Sequence, residues 1–415
     1  MNRVLQIFFV CPGVGHIGRG YESFTRQCFD VLKDEGSFHL RLFKGAGPDS
    51  KGETRVPILK RTDFLARLAA KMVHRHGYDV EQLSFALGLI PYLKQLHPDV
   101  VYFSDRELGA ILWRWRKLSK QRFKLLFSNG GPAPPPFPRW DHVHQVSPEH
   151  YEAALRAGVP EEQQTLIPYG YAISREPRIL SAHEKTALRK QLGLPPERTI
   201  VISVGMLSGL HKRMDYVIEE VRALPEPRPY LLMLGQSVGS ETQRIMTMAK
   251  QLLGPGQYCI ASVSPDRVQG YYWSADVFVL ASLTEGLPRV LLEALAVGLP
   301  CVAHDYPTSR YVVGTNGYLA DLRTPGALAR MLVLAMKDKD DLGARIARQH
   351  DAYERFSWER LAPEYAAMLR RVALSAAASP DQEAESKIHE LVEDRDPNLQ
   401  SRGFSFSLGA QPAYG

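Results

Sequence analysis

The sequence predicts an α/β protein with two doubly wound parallel-sheet domains. Short apolar runs, each followed by a helical pattern, recur in two series along the 415 residues. A chain of this length exceeds one compact core, since single cores stop growing at roughly 250–300 residues. A charged, proline-bearing stretch separates the two series, so we expect two domains joined by a hinge.

The two series of apolar runs define the predicted sheets. The first, in a domain that we place at residues 1–175, comprises VLQIFFV, FHLRLF, DVVYFS, KLLFSN and HVHQVS at 4–10, 38–43, 99–104, 124–129 and 142–147. The second, in a domain at 198–355, comprises TIVISV, YLLML, YCIAS, DVFVLAS and PCVAH at 199–204, 230–234, 258–262, 276–282 and 300–304. Continuous apolar runs are typical of parallel strands buried on both faces.

The remaining segments connect or follow the two domains. Residues 176–197 read as the hinge, with one short helix that Ser181 begins. The stretch SWERLAPEYAAMLRRV has Ser357 as a helix cap and apolar residues at helical spacing, which predicts a helix over 356–373 that needs a partner surface. Residues 374–415 are small and polar, and we expect a disordered tail.

Composition excludes several classes of protein. Hydrophobic residues at 45% and charged residues at 23% are ordinary for a globular chain. The four cysteines are far apart and form no CxxC pair, so neither a zinc cage nor a disulfide framework is indicated. The sequence has no run of about 18 apolar residues and no signal-peptide pattern, so we expect a cytoplasmic protein.

The net charge of +6 is concentrated in one segment. Residues 114–124, RWRKLSKQRFK, hold six basic residues and no acid, with Trp113 and Trp115 interleaved. Two interpretations stay open: a solvated helix face, or a peripheral contact with an anionic membrane at the inner face of the plasma membrane. We expect no nucleic-acid partner.

A glycine loop, CPGVGHIGRGYESF at residues 11–24, follows the first strand and precedes a helix. Its GxGxxG spacing is suited to phosphate at a helix start. A dinucleotide site also needs an acidic residue at the end of the second strand, but that strand ends in Lys44. An NADP-dependent oxidoreductase stays open, because Lys44 or Arg41 could hold a 2′-phosphate. The other interpretation is that the glycines only permit a tight turn.

The strongest chemical signal is the stretch LASLTEGLPRVLLEALAVGLPCVAHD, residues 280–305. It predicts a strand, a loop, a helix that is apolar apart from Arg289 and Glu293, and a second strand. A helix apolar on every face is buried, and burying an unpaired carboxylate costs several kcal/mol, so Glu293 needs a partner. Arg289, one turn earlier, is one candidate; a pair of ligand hydroxyls is the other.

Glu285 stands at the carboxyl end of the preceding strand, where open α/β sheets keep their ligand crevices. The backbone N–H groups of Gly286 and Leu287 point out of the helix start, toward any phosphate there. Carboxylates accept hydrogen bonds from sugar hydroxyls, and N–H donors hold a diphosphate charge. The stretch therefore predicts a site for a sugar joined to a phosphate.

The same segment resembles the donor-site signature of the retaining GT-B glycosyltransferases of family 4, in which seven residues separate two glutamates. Further stretches agree with that family in order: HPDVVYFSD, DHVHQVSPEHYEAALRAGVPEEQQTLIPYGY, VISVGMLSGLHKRMDYVIEEV, VQGYYWSADVFVLASLTEGLPRVLLEALAVGLPCVAHD and TNGYLADL. The resemblance covers roughly residues 1–372 and is weaker in the first 130. It implies two Rossmann-like domains facing a central cleft, the first for the acceptor and the second for the nucleotide sugar.

The resemblance also implies roles for individual residues. Glu285 would contact the donor sugar, Lys212 would neutralise the leaving diphosphate, and Glu293 would hold the ribose. The helix at 356–373 would cross back onto the N-terminal domain. The other implied donor contacts are Gly286, Leu287 and Pro288 at the diphosphate and Ala261, Ser262 and Val263 beside the base.

Two departures from the family pattern affect these roles. Met206 stands where the family usually has an arginine, so Arg213 or His211 is expected to compensate. Asn129, in FSNGGPAPPP, stands where the family often has a histidine near the transferred sugar, so Asn129 or His16 would supply that contact. The candidate contacts on the acceptor side of the cleft are Gly15, His16, Arg19 and Asn129.

The resemblance implies a hexosyltransferase that moves a sugar from a nucleotide-diphosphate donor to a carbohydrate or lipid-linked acceptor with retention, in polysaccharide, glycolipid or glycoconjugate synthesis. We expect no cofactor and no metal, because the DxD-like runs at 338–341 and 394–396 do not follow predicted strands. Three alternatives stay open: an NADP-dependent oxidoreductase, a non-catalytic GT-B-like interaction protein and a sugar epimerase of the same fold.

Overall fold

A computed structural model of the chain describes residues 3–72 and 74–375. The strands of the first half are β1 (Leu5–Cys11), β2 (Phe38–Lys44), β3 (Glu53–Arg55), β4 (Val100–Phe103), β5 (Lys124–Asn129), β6 (His142–Gln145) and β7 (Gln164–Leu166). Those of the second half are β8 (Ile200–Val204), β9 (Tyr230–Leu234), β10 (Tyr258–Ala261), β11 (Val277–Leu280), β12 (Cys301–His304) and β13 (Gly317–Ala320).

Helices connect most successive strands, and loops without a helix join β2 to β3 and β5 to β6. In the first half and the linker they are α1 (Gly20–Leu32), α2 (Phe64–Met72), α3 (Gly77–Leu96), α4 (Arg106–Ser119), α5 (Pro148–Arg156) and α6 (Ala182–Gln191). In the second half they are α7 (Met214–Arg222), α8 (Gly239–Leu252), α9 (Pro265–Ser274), α10 (Arg289–Ala296), α11 (Pro307–Val313), α12 (Ala327–Lys337), α13 (Leu342–Phe356) and α14 (Trp358–Leu374).

Two all-parallel sheets organise the molecule. The first has the order β3-β2-β1-β4-β5-β6-β7 and the second the order β10-β9-β8-β11-β12-β13. In each sheet the chain starts in the middle, builds outward in one direction and then returns to build in the other. The reversal lies between β1 and β4 in the first sheet and between β8 and β11 in the second, and this geometry opens a crevice at the carboxyl ends of those strands.

All ten predicted strands are confirmed, and two of them, 124–129 and 230–234, have the predicted bounds. Continuous apolar runs identified them because both faces of a parallel sheet are buried. The sequence analysis missed β3, β7 and β13. These strands have three or four residues each and lie at sheet edges or ends, with sequences such as ETR and QTL that contain no apolar run.

Two predicted helix caps are confirmed. The Ser181 hydroxyl accepts a hydrogen bond from the Glu184 N–H at the start of α6, and the Ser357 hydroxyl accepts one from the Arg360 N–H at the start of α14. In the linker, Arg189 of α6 donates to the Asp276 carboxylate at 2.7 Å. The linker helix is thereby attached to the C-terminal sheet just before β11.

Helix α14 packs on the N-terminal domain, against α1, β1, β4 and β5. Its apolar stripe is buried there, and the Tyr365 hydroxyl donates to the Pro168 carbonyl at 2.9 Å. The chain passes between the domains first near Tyr171 and again at the start of α14. These two stretches are adjacent, because the Tyr171 N–H donates to the Phe356 carbonyl at 2.8 Å and the Trp358 N–H donates to the Tyr171 carbonyl at 3.1 Å. The two domains are therefore joined by two adjacent stretches of chain. The predicted disordered tail falls almost entirely outside the described residues.

The basic segment 114–124 forms the end of α4 and the turn into β5. Trp113 is buried, and the indole N–H of Trp115 donates to Gln121 at 3.1 Å. The Lys117 ammonium lies over the Trp113 ring at 3.9 Å from its centroid. The aromatic residues of this segment thus pack inward beneath the charges. Among the described residues, no helix is both long and apolar enough to cross a bilayer.

Candidate active site between the two domains

The site centres on the reversal point of the C-terminal sheet. Lys212 follows β8 and Glu285 follows β11, and these two strands are neighbours in the sheet although the residues are 73 positions apart. The Lys212 ammonium donates to Glu285 Oε1 in a short ion pair, and both side chains are largely buried. The structure thus brings together the two residues for which the sequence analysis expected a catalytic role.

Gly205, at the end of β8, makes room for the Lys212 side chain. A Cβ atom on Gly205 would lie 2.9 Å from Lys212 Cε and 3.0 Å from Cδ and Cγ. Because real Cβ contacts are not that short, a side chain here would displace the lysine. The space at Gly205 therefore lets the Lys212 side chain lie against the strand end, with its ammonium bonded to Glu285.

His211 completes a cluster around the Glu285 carboxylate, with its Nδ1 atom 3.7 Å from Glu285 Oε1. Burial acts to raise the pKa of Glu285, but the Lys212 charge, with a smaller effect of His211, and the Lys212 hydrogen bond outweigh it, so its pKa is lowered. Burial lowers the pKa of His211, which favours the neutral imidazole. Glu285 is therefore held ionised beside one permanent cation.

The residues after Glu285 face the N-terminal domain. Gly286, Leu287 and Pro288 are buried, and a Cβ on Gly286 would lie 1.9 Å from the Gly130 carbonyl oxygen. The start of α10 thus meets the loop after β5 at backbone distance. Only a glycine permits that approach, and it places the helix N-terminus at the boundary between the domains.

Glu293 lies one turn into α10 and is half-buried. The Tyr272 hydroxyl donates to its Oε2 at 2.9 Å. Burial raises the pKa of Glu293, against weaker opposing effects from the Arg289 charge and the Tyr272 hydrogen bond. The sequence analysis did not identify Tyr272, which comes from α9 and contacts Glu293 only through the packing of two helices.

The ion pair between Arg289 and Glu293, one of the two expected explanations for Glu293, is not formed. The Arg289 guanidinium instead donates to the Gly170 carbonyl at 3.1 Å and to Gln27 Oε1 at 2.9 Å. It also lies over the Tyr171 ring, 5.7 Å from the centroid. Arg289 thus bridges the domains, because its long side chain reaches the facing domain more readily than it folds back along its own helix.

Of the two residues expected to compensate for Met206, His211 is at the cluster and Arg213 is not. The Arg213 guanidinium donates to the Leu322 carbonyl at 2.9 Å and stacks on the Tyr216 ring at 4.1 Å. Arg213 also donates to the Ala281 carbonyl at 3.5 Å, one residue past β11, so it lies at the same edge of the sheet as the cluster, and its contact with a donor stays a prediction. These bonds connect the start of α7 with the loops that follow β11 and β13.

The three residues expected beside the nucleotide base lie at the carboxyl end of β10, the edge strand of the second sheet. Ala261 ends that strand, Ser262 is exposed and Val263 is half-buried. They are on the same edge of the sheet as the Lys212 and Glu285 cluster, because all strands of this sheet are parallel. Two strands, β8 and β9, separate β10 from β11.

The glycines of the N-terminal loop have steric roles. Gly15 has φ of +94°, and a Cβ there would lie 2.3 Å from the Ala46 carbonyl oxygen; a Cβ on Gly13 would lie 2.3 Å from Glu22 Oε1. Gly18 has no atom within 4 Å of that position. Two of the three glycines are therefore explained by the close approach of Glu22 and Ala46.

Lys44, the candidate for a 2′-phosphate, forms a short ion pair with Glu53 and is almost completely buried. Arg26 bonds the other oxygen of the same carboxylate at 2.6 Å. The NADP-dependent alternative therefore loses Lys44, one of its two candidate cations, and keeps Arg41.

The polar side chains of the glycine loop bind within their own domain. His16 Nε2 lies 3.3 Å from Glu81 Oε2, and Arg61 bonds the same carboxylate through its backbone N–H at 2.8 Å and its Nε at 3.0 Å. Arg19 makes a bidentate ion pair with Glu22. Among the described residues, the His16 Nδ1 atom is buried without a hydrogen-bond partner, and it is the polar atom of this loop that a ligand could engage.

Asn129 is not brought together with the cluster. Its amide donates to Gln145 Oε1 at 2.9 Å and to the Ala133 carbonyl at 3.3 Å, and its carbonyl accepts the Ala133 N–H at 2.8 Å. These bonds hold the loop that meets Gly286. Asn129 therefore positions backbone at the domain boundary through bonds within its own domain.

Taken together, the cluster offers an ammonium group, an imidazole and helix N–H groups for an anion, and two carboxylates for hydroxyl groups. Among the described residues, no group of three or more histidine, cysteine or acidic side chains is arranged to hold a metal ion. Of the two DxD-like runs, the one at 338–341 supplies Asp341 as the cap of α13, and the one at 394–396 lies outside the described residues.

Two parallel-sheet α/β domains joined by two adjacent crossings, with a site at their boundary, define a GT-B fold. Sucrose-phosphate synthase from Thermosynechococcus elongatus superimposes with a TM-score of 0.72 at 19% identity, over 89% of this chain and 99% of that one. Anabaena Alr3699/HepE in complex with UDP and glucose superimposes with a TM-score of 0.68 at 18% identity, over 88% and 99%.

Residues 184–352, which include most of the C-terminal domain, match the sequence model of the family described as glycosyl transferases group 1. A relative, the alpha-galactosylglucosyldiacylglycerol synthase of Streptococcus pneumoniae, is 30% identical over 185 residues, which are 43% of this chain and 47% of the relative. The chain thus spans about half the length of this relative. The expected family and the expected fold are both confirmed.

Proposed function

We propose that the chain is a glycosyltransferase that moves a sugar from a nucleoside diphosphate sugar to an acceptor hydroxyl, with retention of configuration at the anomeric carbon. The observation that carries the proposal is the pairing of Lys212 with Glu285 at the reversal point of the second sheet. When a donor binds, Lys212 and Glu285 separate, and each binds a different part of the donor. The ammonium turns to the diphosphate, and the carboxylate accepts hydrogen bonds from the sugar.

In the proposed reaction, the bond between the anomeric carbon and the diphosphate oxygen breaks and a bond to the acceptor oxygen forms. The acceptor proton passes to an oxygen of the leaving diphosphate, so atoms and charges balance. Lys212 and the N–H groups of Gly286 and Leu287 stabilise the charge that develops on the leaving group. These groups supply the electrostatic stabilisation, so metal-independent transfer is part of the proposal.

Glu293 supports the binding of a ribose ring. Its carboxylate is half-buried, Tyr272 occupies one oxygen, and its neighbouring arginine is engaged with the other domain. A carboxylate in such surroundings gains when two hydroxyl groups donate hydrogen bonds to it, since bonds to the charged form lower its pKa. A ribose diol is the part of a nucleotide sugar that offers such a pair.

The acceptor approaches from the N-terminal domain, where the glycine loop and the loop after β5 face α10. The acceptor classes that we propose are carbohydrates and lipid-linked molecules, within polysaccharide, glycolipid or glycoconjugate synthesis. The name of the pneumococcal relative, a galactosylglucosyldiacylglycerol synthase, supports the lipid-linked class.

A thermal-shift panel of UDP, GDP, ADP and their sugars, with NADPH as the competing ligand, tests the donor class. We expect one base to raise the melting temperature by a few degrees at saturating nucleotide, with the same shift in EDTA. A shift with NADPH alone, or none with any nucleotide, would refute the proposal. NMR of the product formed from an α-linked donor is expected to show an α linkage, and a β linkage would refute retention.

A further inference from the structure

Helix α2 (Phe64–Met72) turns its large apolar side chains to solvent. Phe64 is 71% exposed and Met72 75%, and Leu65 and Leu68 are exposed as well. Among the residues of α2 whose burial the structure describes, Ala66 and Ala70 are buried. The helix therefore packs on its domain through alanines and leaves its bulky residues outside, which is the reverse of an ordinary surface helix.

The neighbouring helix α3, against which α2 packs, extends this apolar surface. Leu83 and Leu87 are 48% and 58% exposed and lie four residues apart, on one face of α3. Leu59, in the loop that leads to α2, is also exposed. Exposed apolar residues scattered singly need no explanation, but a concentration on two adjacent helices marks a binding surface. We call these residues, with α2, the α2 surface.

The charges around the α2 surface are positive. Residues 60–76 contain five lysines and arginines and a single acid, Asp63. Arg67 and Lys71 on α2, and Arg75 after it, are exposed. A helix with exposed phenylalanine, leucine and methionine beside lysine and arginine is suited to the boundary between lipid headgroups and acyl chains.

We propose that the α2 surface docks the protein on an anionic lipid bilayer. Charge complementarity selects the bilayer as the occupant, because its headgroups are negative and its acyl region accepts the apolar side chains. The inference deepens the proposed function by naming a membrane-borne acceptor, and for that acceptor it rests on the proposed function.

The position of the α2 surface suits such an acceptor. Arg61, three residues before α2, bonds Glu81 of α3, and Glu81 in turn contacts His16 of the glycine loop. That loop follows β1 at the reversal point of the first sheet. One chain of three side chains therefore connects the docking surface with the acceptor side of the cleft.

The basic segment 114–124 is less suited to this role. Trp113 is buried and Trp115 is bonded to Gln121, so the segment presents its charges without its aromatic rings. Among its described residues, Leu118 is the large apolar side chain that is exposed, at 81%. Leu118 thus provides a matched control for the test.

Vesicle flotation with the full chain tests the inference, using equal parts of phosphatidylglycerol and phosphatidylcholine, and phosphatidylcholine alone. We expect the wild-type protein to float with the anionic vesicles. Phe64→Ser with Met72→Ser is expected to lower the partition coefficient by at least about tenfold, since each apolar side chain loses its transfer into the membrane. Arg67→Gln with Lys71→Gln is expected to lower it by about tenfold on anionic vesicles.

The control variant, Leu118→Ser with Leu342→Ser, removes two other exposed leucines and is expected to float like the wild type. Failure of the wild-type protein to float, flotation of the Phe64/Met72 variant like the wild type, or loss of flotation in the control would overturn the inference. So would a wild-type dimer in light scattering that the Phe64/Met72 variant converts to a monomer, because the surface would then bind a second copy.

The thermal shift with nucleotide, measured without lipid, separates this inference from the proposed function. We expect it to be equal in all these variants, because none of the changed residues contacts the Lys212 and Glu285 cluster. If flotation does not depend on the α2 residues while the nucleotide shift is intact, the docking surface alone is refuted. If flotation depends on the α2 residues as expected but no nucleotide shifts the melting temperature, the transferase alone is refuted.

Discussion

The two sheets have the same reversal of strand order, but their reversal points carry different charges. Between β1 and β4 lie Glu22, paired with Arg19, and Asp105, which accepts the Tyr78 hydroxyl at 2.6 Å. Between β8 and β11 lies one carboxylate, Glu285, with an ammonium and an imidazole. The first point has two acids for one guanidinium, and the second has more basic groups than acids.

The pKa directions express the same difference. Burial raises the pKa of Asp105, and Glu22 adds to that effect against the Tyr78 hydrogen bond and the Arg19 charge. At the second point the cations prevail over burial and lower the pKa of Glu285. A diphosphate is attracted to an excess of positive charge and repelled by an excess of acid. The same reversal of strand order thus carries different charges in the two sheets, and under the proposed function a few side chains select the second sheet for the donor.

The largest expected effect is on transfer. Lys212→Ala and Glu285→Ala are each expected to lower kcat/KM by at least about 100-fold. The first removes the ammonium that binds the diphosphate, and the second removes the carboxylate that binds the sugar. Lys250→Ala and Glu219→Ala, on exposed faces of α8 and α7, are the matched controls and should keep wild-type rates. Equal losses in the controls and the site variants, in steady-state assays of transfer, would contradict the assignment of the donor to this point.

A smaller effect is expected from Gly286→Ala. Its Cβ would lie 1.9 Å from the Gly130 carbonyl, so the loop and the start of α10 must separate. Because small misplacements of the groups that hold a reacting bond are costly, we expect kcat/KM to fall roughly 10- to 100-fold. Gly131→Ala is the control, since no atom lies within 4 Å of its Cβ position. A Gly286→Ala enzyme with wild-type kinetics would refute the proposed role of this contact.

The glycine loop at the first reversal point is expected to respond in stability. Gly15→Ala combines a positive φ with a Cβ 2.3 Å from a carbonyl oxygen, and about 2 kcal/mol of the free energy of unfolding should be lost. Gly18→Ala, with open space around its Cβ, should be near neutral. Urea denaturation measures both. The reverse ranking would show that Gly18 is the constrained position.

The smallest effect is the pH dependence of stability for the two carboxylates of the donor segment. The lowered pKa of Glu285 stabilises the fold above the pKa of an unfolded glutamate, about 4.3, and this contribution is lost on acidification. The raised pKa of Glu293 has the opposite sign: it costs stability as the pH rises above that value.

Glu293→Gln should therefore melt about 2 °C above the wild type at pH 7, with no difference below about pH 4. Glu285→Gln should melt below the wild type at pH 7, and this deficit should shrink on acidification. Melting curves across this pH range, with exposed Glu219→Gln as the control, measure both signs. The same sign for both variants would contradict the electrostatic comparison.

The sequence predicted most strands of both sheets, because a parallel strand that is buried on both faces has an apolar run in its own sequence. YLLML and KLLFSN are apolar without interruption, and each is a strand with the predicted bounds. The edge strands ETR and QTL are short and polar, and their extended form comes from pairing with a neighbour rather than from a local pattern. Local periodicity could not reveal them.

The site was predictable in its residue types and unpredictable in its contacts. Glu285, Glu293 and Lys212 were identified from a strand end, a buried helix and a family resemblance. One of the two expected partners of Glu293 was Arg289, four residues away, but that arginine bonds Gln27, 262 positions distant, and Glu293 accepts the hydroxyl of Tyr272. Asn129 and Arg213 were expected at the ligand; Asn129 bonds Gln145 and Arg213 bonds the Leu322 carbonyl, and their contacts with a ligand stay predictions.

By itself the sequence determined the two α/β domains, the helix caps at Ser181 and Ser357, the glycine loop after β1 and the presence of carboxylates near a helix start, since these follow from patterns within about 20 residues. Only the tertiary structure decided which charges meet. Lys212 and Glu285 are neighbours because the strand order reverses between β8 and β11, and α2 is unusual because packing buries its alanines and leaves its phenylalanine outside. Such contacts depend on how distant segments pack, which no local pattern records.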